Sequence, residues 1–164
     1  NPFTILEEYK NIAVVGGGIG VFPLLYLLNE IKGARKSAFL GFRNKNFVVL
    51  NDEFKKACDK LVISTDDGSQ GYNGLITEPL EEELKNNKFD IIYTCGPTPM
   101  IKKVVDIANK NEIKCQVSLE QRMGCGIGAC LVCACKTKSD DEWKYSHVCK
   151  DGPVFWSSEV IFDD

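Results

Sequence analysis

Apolar residues fall in short blocks that alternate with helix-spaced segments through the first 119 positions. Residues 11–16 (NIAVVG) are an apolar run closed by glycine, the pattern of a strand buried on both faces of a parallel sheet. A glycine-rich turn follows, and 21–31 (VFPLLYLLNEI) has helical spacing, with Pro23 in the first turn where a missing N–H costs little. The same alternation predicts strands at 37–41, 61–65, 90–95 and 114–119. It predicts helices over 46–58 and 75–86 and from the Gly96-Pro97-Thr98-Pro99 turn to about 111, with a polar, glycine-rich loop at 66–74. Repeated β-α alternation specifies an α/β fold with a doubly wound, five-stranded parallel sheet.

The rhythm stops after Leu119. Residues 121–134 are rich in Gly and Cys without usable periodicity, and short strands are expected only at 134–137 and 142–145. The pattern divides the chain into a linker at 1–10, an α/β domain at 11–119 and a small domain at 120–164. So short a C-terminal stretch has too little core to fold unaided and needs a metal or disulfides.

Composition narrows the function. The 164 residues are 44% hydrophobic and 26% charged, with a net charge of −3, the balance of a globular domain without a basic nucleic-acid footprint. No apolar run is long enough to span a bilayer, so neither nucleic acid nor membrane is expected as a partner. Asn1-Pro2-Phe3-Thr4 is no signal peptide and lacks an initiating Met, which suggests a processed form or a fragment. Of eight cysteines, Cys58, Cys95 and Cys115 are scattered and five crowd the last quarter. In an intracellular chain, clustered cysteines more often bind metal or do redox chemistry than form disulfides.

The crowded thiols run C-x4-C-x2-C from Cys125 through Cys130 to Cys133, with Cys149 after a gap, the plant-type [2Fe–2S] spacing. Gly124, Gly126 and Gly128 let the backbone wrap a cluster closely and aim amides at sulfur. Structural zinc on Cys130, Cys133, Cys135 and Cys149 is a second reading, although only one short CxxC knuckle occurs. Disulfides fit the glycine-rich loop poorly, and a Rieske centre needs two histidines where the chain has only His147. Cys135 competes with Cys149 as fourth ligand. Cys149 is preferred, because a ligand from outside the tight loop closes the tetrahedron more easily.

The turn Gly16-Gly17-Gly18-Ile19-Gly20 joins a strand to a helix, a weak dinucleotide signal short of the full G-x-G-x-x-G. Other loops at the strand ends converge on the same edge: Arg43 after the second strand, Thr65, Asp66, Asp67 and Gly68 after the third, and Cys95, Gly96 and Pro97 after the fourth. Asp66 and Asp67 are candidate acceptors for ribose hydroxyls, which favours NADH over NADPH, and Arg43 could lie on the adenosine side. Cys58 and Cys115 read as ordinary buried thiols, and Trp143, Phe155 and Trp156 as packing for the small domain.

Three stretches, GGGIGVFPLLYLL (16–28), TCGPTPM (94–100) and MGCGIGACLVCACKT…CKDGPVF (123–155), resemble the electron-transfer subunits of dihydroorotate dehydrogenase B, within the ferredoxin–NAD(P) reductase superfamily. The likeness covers Lys10 to Phe155. It implies a ferredoxin reductase-like NAD-binding domain followed by a [2Fe–2S] domain. It also implies a cytoplasmic relay in which NADH reduces FAD, the cluster takes single electrons, and the FMN of a separate catalytic subunit receives them in a heterotetramer serving pyrimidine biosynthesis. Gly16 to Gly20 would then face the NAD pyrophosphate. Cys95 and Gly96, in the family's C-G-P-x-x-M turn that ends at Met100, would lie near the nicotinamide and flavin. Cys125, Cys130, Cys133 and Cys149 would hold the cluster. The family's FAD-binding barrel carries an Arg-x-Tyr/Phe-Ser motif that none of Arg35, Arg43 or Arg122 begins. The chain therefore reads as the C-terminal two-thirds of such a subunit, with FAD a cofactor of the full-length form. Two alternatives share much of the chemistry: the electron-transfer subunit of a sulfide dehydrogenase or NADH-dependent ferredoxin–NADP reductase, and a zinc-stapled nucleotide-binding module.

Overall fold

The apolar block near the N-terminus becomes β1 (Asn11–Gly17), buried from Ile12 onward. The computed structural model describes residues 1–139 and 142–162. Positions 140, 141, 163 and 164 of the expected small domain lie outside the described residues. Side chains of β1 divide by parity, as a two-sided strand requires. Ala13 and Val15 enter a core under α3 (Thr77–Leu84) and α4 (Thr98–Lys110). Ile12 and Val14 enter a second core under α1 (Val21–Glu30) and α2 (Asn51–Ala57).

β1 lies between β2 (Arg35–Phe42) and β5 (Ile91–Cys95), both parallel to it. β3 (Lys60–Thr65) extends the sheet beyond β2, and β6 (Lys114–Ser118) extends it beyond β5. All five expected parallel strands are present, and the strand order reverses at β1. The sheet nevertheless has seven strands rather than five, in the order β4-β3-β2-β1-β5-β6-β9. β4 (Tyr72–Asn73) forms within the expected polar loop and pairs parallel with β3. β9 (Val154–Trp156) returns from the C-terminal stretch to pair antiparallel with β6.

Two helices are shorter than their periodicity suggests. Residues 46–58 do not form one helix, because Leu50 takes a left-handed conformation (φ 58°). This separates a 3-10 turn at Lys45–Phe47 from α2. The helix expected at 75–86 is trimmed to α3. The C-terminal stretch builds a three-stranded antiparallel sheet of β7 (Ala134–Ser139), β8 (Glu142–His147) and β10 (Val160–Ile161). Its Cys133, Val148, Phe155 and Val160 join the α3/α4-side core. Trp143 is not packing. It is exposed on β8, edge-to-face with Tyr145 at 5.1 Å and beneath Lys136 at 5.3 Å. Cys115 is buried, and Cys58 is half-buried with its thiol donating to the Phe54 carbonyl at 2.9 Å. Among the described residues no helix is long and apolar enough to cross a membrane.

Candidate functional site

The reversal of strand order at β1 leaves a crevice at the C-terminal edge of the sheet, where open α/β sheets bind ligands. A cavity of about 550 Å³ occupies it. Gly17, Gly18 and Gly20 line it from the β1–α1 turn, and Gly96, Pro97 and Met100 from the β5–α4 turn. The two turns are locked together. A Cβ on Gly20 would lie 2.4 Å from the Cys95 carbonyl oxygen, and one on Gly17 would lie 2.7 Å from Pro97 Cδ. The 3-10 turn Gly18–Gly20 runs straight into α1, where Val21 N–H already donates to the Gly18 carbonyl and Pro23 has no N–H, so a bound anion would meet the glycine turn ahead of the helix. Arg43 and Asp66 line the groove after β2 and β3.

Five expected contacts lie off the groove, each for a local reason. Gly16 is within β1, where a Cβ would press on Leu24 and Val21 at 3.0 Å. Thr65 is buried and ties its own turn, its hydroxyl donating to the Gln70 carbonyl at 2.8 Å and accepting from the Gln70 N–H at 3.0 Å. Asp67 accepts from the Ser69 hydroxyl at 2.6 Å and the Ser69 N–H at 3.0 Å, and these bonds hold its carboxyl below the usual range. Gly68 supplies the left-handed turn beside it (φ 70°). Cys95 lies beneath Gly20. Burial pushes its thiol up, the Ser118 hydroxyl works against that, and the Glu120 charge adds to it. Sequence reasoning missed Phe47, Leu75, Ile76, Thr77, Pro99, Lys103 and Glu120, all of which line the groove. Only the strand-end position of Glu120 offered a signal.

The second constellation is the cysteine turn. Gly126 and Gly128 take left-handed conformations (φ 71° and 76°), which bend the backbone around Cys125. Its sulfur accepts from the N–H groups of Ala129 at 3.2 Å and Cys130 at 3.4 Å. The Ile127 N–H is the largest influence in bringing its pKa down to about 6, and the Cys130 thiol also donates to it. The Cys149 thiol donates to Cys133 and is raised chiefly by that bond, with the nearby Cys125 adding. The thiols thus interact in two pairs, Cys125 with Cys130 and Cys133 with Cys149. That suits a two-iron cluster in which each iron takes two thiolates. Among the described residues no three ligand-type side chains close on a single-ion site. Cys135 turns elsewhere, its thiol donating to the Ser146 carbonyl across β7–β8 at 3.5 Å. The turn is exposed and apolar at Ile127 (74%) and Leu131 (67%).

Comparison with known proteins gives the same two parts. Residues 14–106 match the oxidoreductase NAD-binding domain, and residues 120–161 match the iron–sulfur cluster binding domain of dihydroorotate dehydrogenase B. The chain is 46% identical over 162 residues to the dihydroorotate dehydrogenase B (NAD(+)) electron transfer subunit of Caldanaerobacter subterraneus subsp. tengcongensis, covering 99% of this chain and 63% of that protein. It is 40% identical over 168 residues to the Clostridium perfringens subunit of the same name, with coverage of 99% and 63%. Among solved structures, a chain of the NADH-dependent reduced ferredoxin-NADP oxidoreductase superposes with a TM-score of 0.81 at 33% identity, over 96% of this chain and 56% of that one. The chain therefore spans somewhat under two-thirds of these curated relatives. With the first match covering more than half of its residues, the chain belongs to the oxidoreductase NAD-binding domain family, continued by a segment that matches the cluster-binding domain of dihydroorotate dehydrogenase B.

Proposed function

We propose that this chain is the NAD- and cluster-binding part of an electron-transfer subunit that feeds the FMN-bearing catalytic subunit of dihydroorotate dehydrogenase, in a cytoplasmic heterotetramer of pyrimidine biosynthesis. One observation carries the reading: a groove of dinucleotide type and two interacting thiol pairs occur on one chain, joined through β6 and β9. Gly17, Gly18 and Gly20 form the close-packed turn that receives the pyrophosphate of NADH. Asp66 rather than Asp67 accepts the ribose hydroxyls, because Ser69 occupies Asp67. Gly96, Pro97 and Met100 wall the nicotinamide half. Cys125, Cys130, Cys133 and Cys149 hold a [2Fe–2S] cluster, and the amides on Cys125 favour its thiolate form. When bound, the cluster supplies one-electron chemistry between two-electron carriers. The relatives' greater length leaves room for an FAD-binding domain that precedes 1–10 as a linker.

A visible spectrum with iron and sulfide assays, followed by NADH titration, tests the reading. Two irons and two sulfides per chain with NADH binding are expected; a colourless protein holding stoichiometric zinc refutes the cluster. The likeness to the ferredoxin-NADP oxidoreductase chain favours a second reading with a different partner. Reconstitution with each partner's electron acceptor separates the two, since only the first reading supports NAD-linked oxidation of dihydroorotate.

A further inference from the structure

The two ends of the groove differ in chemistry. On the β2–β3 side it closes against Phe47 and Leu75, which are 56% and 61% exposed, beside Asp66. This end suits a flat base and its ribose. On the β6 side it ends on Glu120, two residues past the strand and at the first position of the cluster-binding segment. Its carboxylate also adds, after burial and the Ser118 hydroxyl, to the influences on the Cys95 thiol beneath the glycine turns. Lys103, which also lines the groove, lies toward α3, with its ammonium 3.6 Å from Glu81.

Taking the groove as the dinucleotide site proposed above, electrons leave the ligand only through its nicotinamide ring. The thiol pairs that would take them onward follow Glu120 in the chain. The ring therefore occupies the Glu120 end and the adenine the Phe47 end. Oxidised and reduced dinucleotides differ by one positive charge, and it sits on that ring. We propose that Glu120 is a charge-discriminating residue of the groove: its carboxylate faces the nicotinamide and binds the cationic, oxidised ring more tightly than the neutral, reduced one. An anion there favours the product of hydride loss over its precursor, which biases the site toward drawing electrons out of NADH.

The test is equilibrium binding of NAD+ and of NADH to the full chain as wild type, Glu120→Gln and Glu120→Asp, at low and at high ionic strength, with thermal unfolding as a check on folding. Because Glu120 is exposed, its charge is screened by water, and Glu120→Gln is expected to weaken NAD+ about three- to fivefold and NADH less than about twofold. Glu120→Asp keeps the wild-type preference, and salt shrinks the difference. An unchanged ratio of the two dissociation constants in Glu120→Gln overturns the proposal. So does equal weakening of both nucleotides, which makes Glu120 a hydrogen-bond acceptor blind to the ring's charge. If wild type binds neither nucleotide, the dinucleotide reading itself has failed and the proposal falls with it.

Discussion

Replacing Gly20 by Ala isolates the contact that holds the groove together. Gly20 has ordinary right-handed angles, φ −62° and ψ −7°, so the backbone accepts Ala without strain and even gains about 0.5–1 kcal/mol from a stiffer unfolded chain. The added Cβ, however, would lie 2.4 Å from the Cys95 oxygen, 2.6 Å from the Cys95 carbonyl carbon and 2.7 Å from the Gly96 nitrogen. None of these is a movable side-chain tip. Restoring normal contact requires the β1–α1 and β5–α4 turns to part by about 1 Å, which places the cost near the top of the overpacking range, about 3 kcal/mol. The net loss of about 2–2.5 kcal/mol corresponds to roughly 4–10 °C in Tm for a chain of this size. Gly18→Ala is the control. Gly18 has φ 55° and nothing within 4 Å of a built Cβ, so it loses only about 1 kcal/mol to left-handed strain, roughly 2–4 °C. Thermal unfolding of both variants in the same cofactor state, with NADH titration, checks this. Gly20→Ala should be the less stable and should bind NADH at least about tenfold more weakly. A Gly20→Ala protein as stable as Gly18→Ala would refute the interlock.

Cys149→Ala should lose the visible spectrum and bound iron while Cys135→Ala keeps both, because the Cys149 thiol donates to Cys133 whereas the Cys135 thiol donates to the Ser146 carbonyl; iron analysis of the two purified variants decides it. Burial pushes the Cys115 thiol up to about 12, so it stays protonated below that pH. A maleimide should leave it unmodified in native protein at pH 8 and label it on adding denaturant, and fast native labelling would contradict the buried placement. The Ser69 bonds lower the Asp67 carboxyl, so their support is present above the ordinary carboxylate range and is lost as pH falls through the lowered folded-state value. Ser69→Ala should move the Asp67 titration back up, measured by NMR, and an unmoved titration would show that Ser69 does not hold it.

Five parallel strands were legible because each is a short block with apolar residues between turn signals, fully buried along most of β1 and β5 and half-buried along most of β3, a signal that depends only on neighbours in sequence. β9 was not, since Val154–Trp156 is three residues long and is a strand only because β6 has an open edge. The break at Leu50 was hidden for a different reason: a leucine carries no local mark of a left-handed backbone. In the groove, glycine spacing pointed to Gly17, Gly18, Gly20 and Gly96, whose absence of side chains is the function. Phe47 and Leu75 look like any exposed apolar residues until the fold brings them to one cavity. Asp66 and Asp67 are equivalent on paper, and Ser69 separates them through two hydrogen bonds. Cys135 and Cys149 were likewise both eligible until β8 offered the Ser146 carbonyl to one of them.

The returning strand also explains how two chemically separate sites keep a fixed relation. Cys149 lies five residues before β9. Between them Leu119 N–H donates to the Pro153 carbonyl at 2.9 Å, and beyond β9 Ser157 N–H donates to the Cys115 carbonyl at the same distance. β9 pairs with β6 through Gln116–Trp156, Val117–Phe155 and Ser118–Val154, while Phe155 and Cys133 share the core with Val104 and Val117. The N-terminal segment adds a brace: Thr4 N–H donates to Gln116 Oε1 at 2.8 Å, and the Asn1 amide donates to the Asp151 carbonyl at 2.8 Å. The segment carrying Cys149 is therefore stitched to the end of β6 at the same strand edge that forms the groove. Electron transfer falls steeply with distance, so a relay gains from sites that cannot swing apart. Here that rigidity comes from strand pairing and a shared core, so the cysteine turn stays exposed and apolar at Ile127 and Leu131 while its flanks are held to the α/β domain.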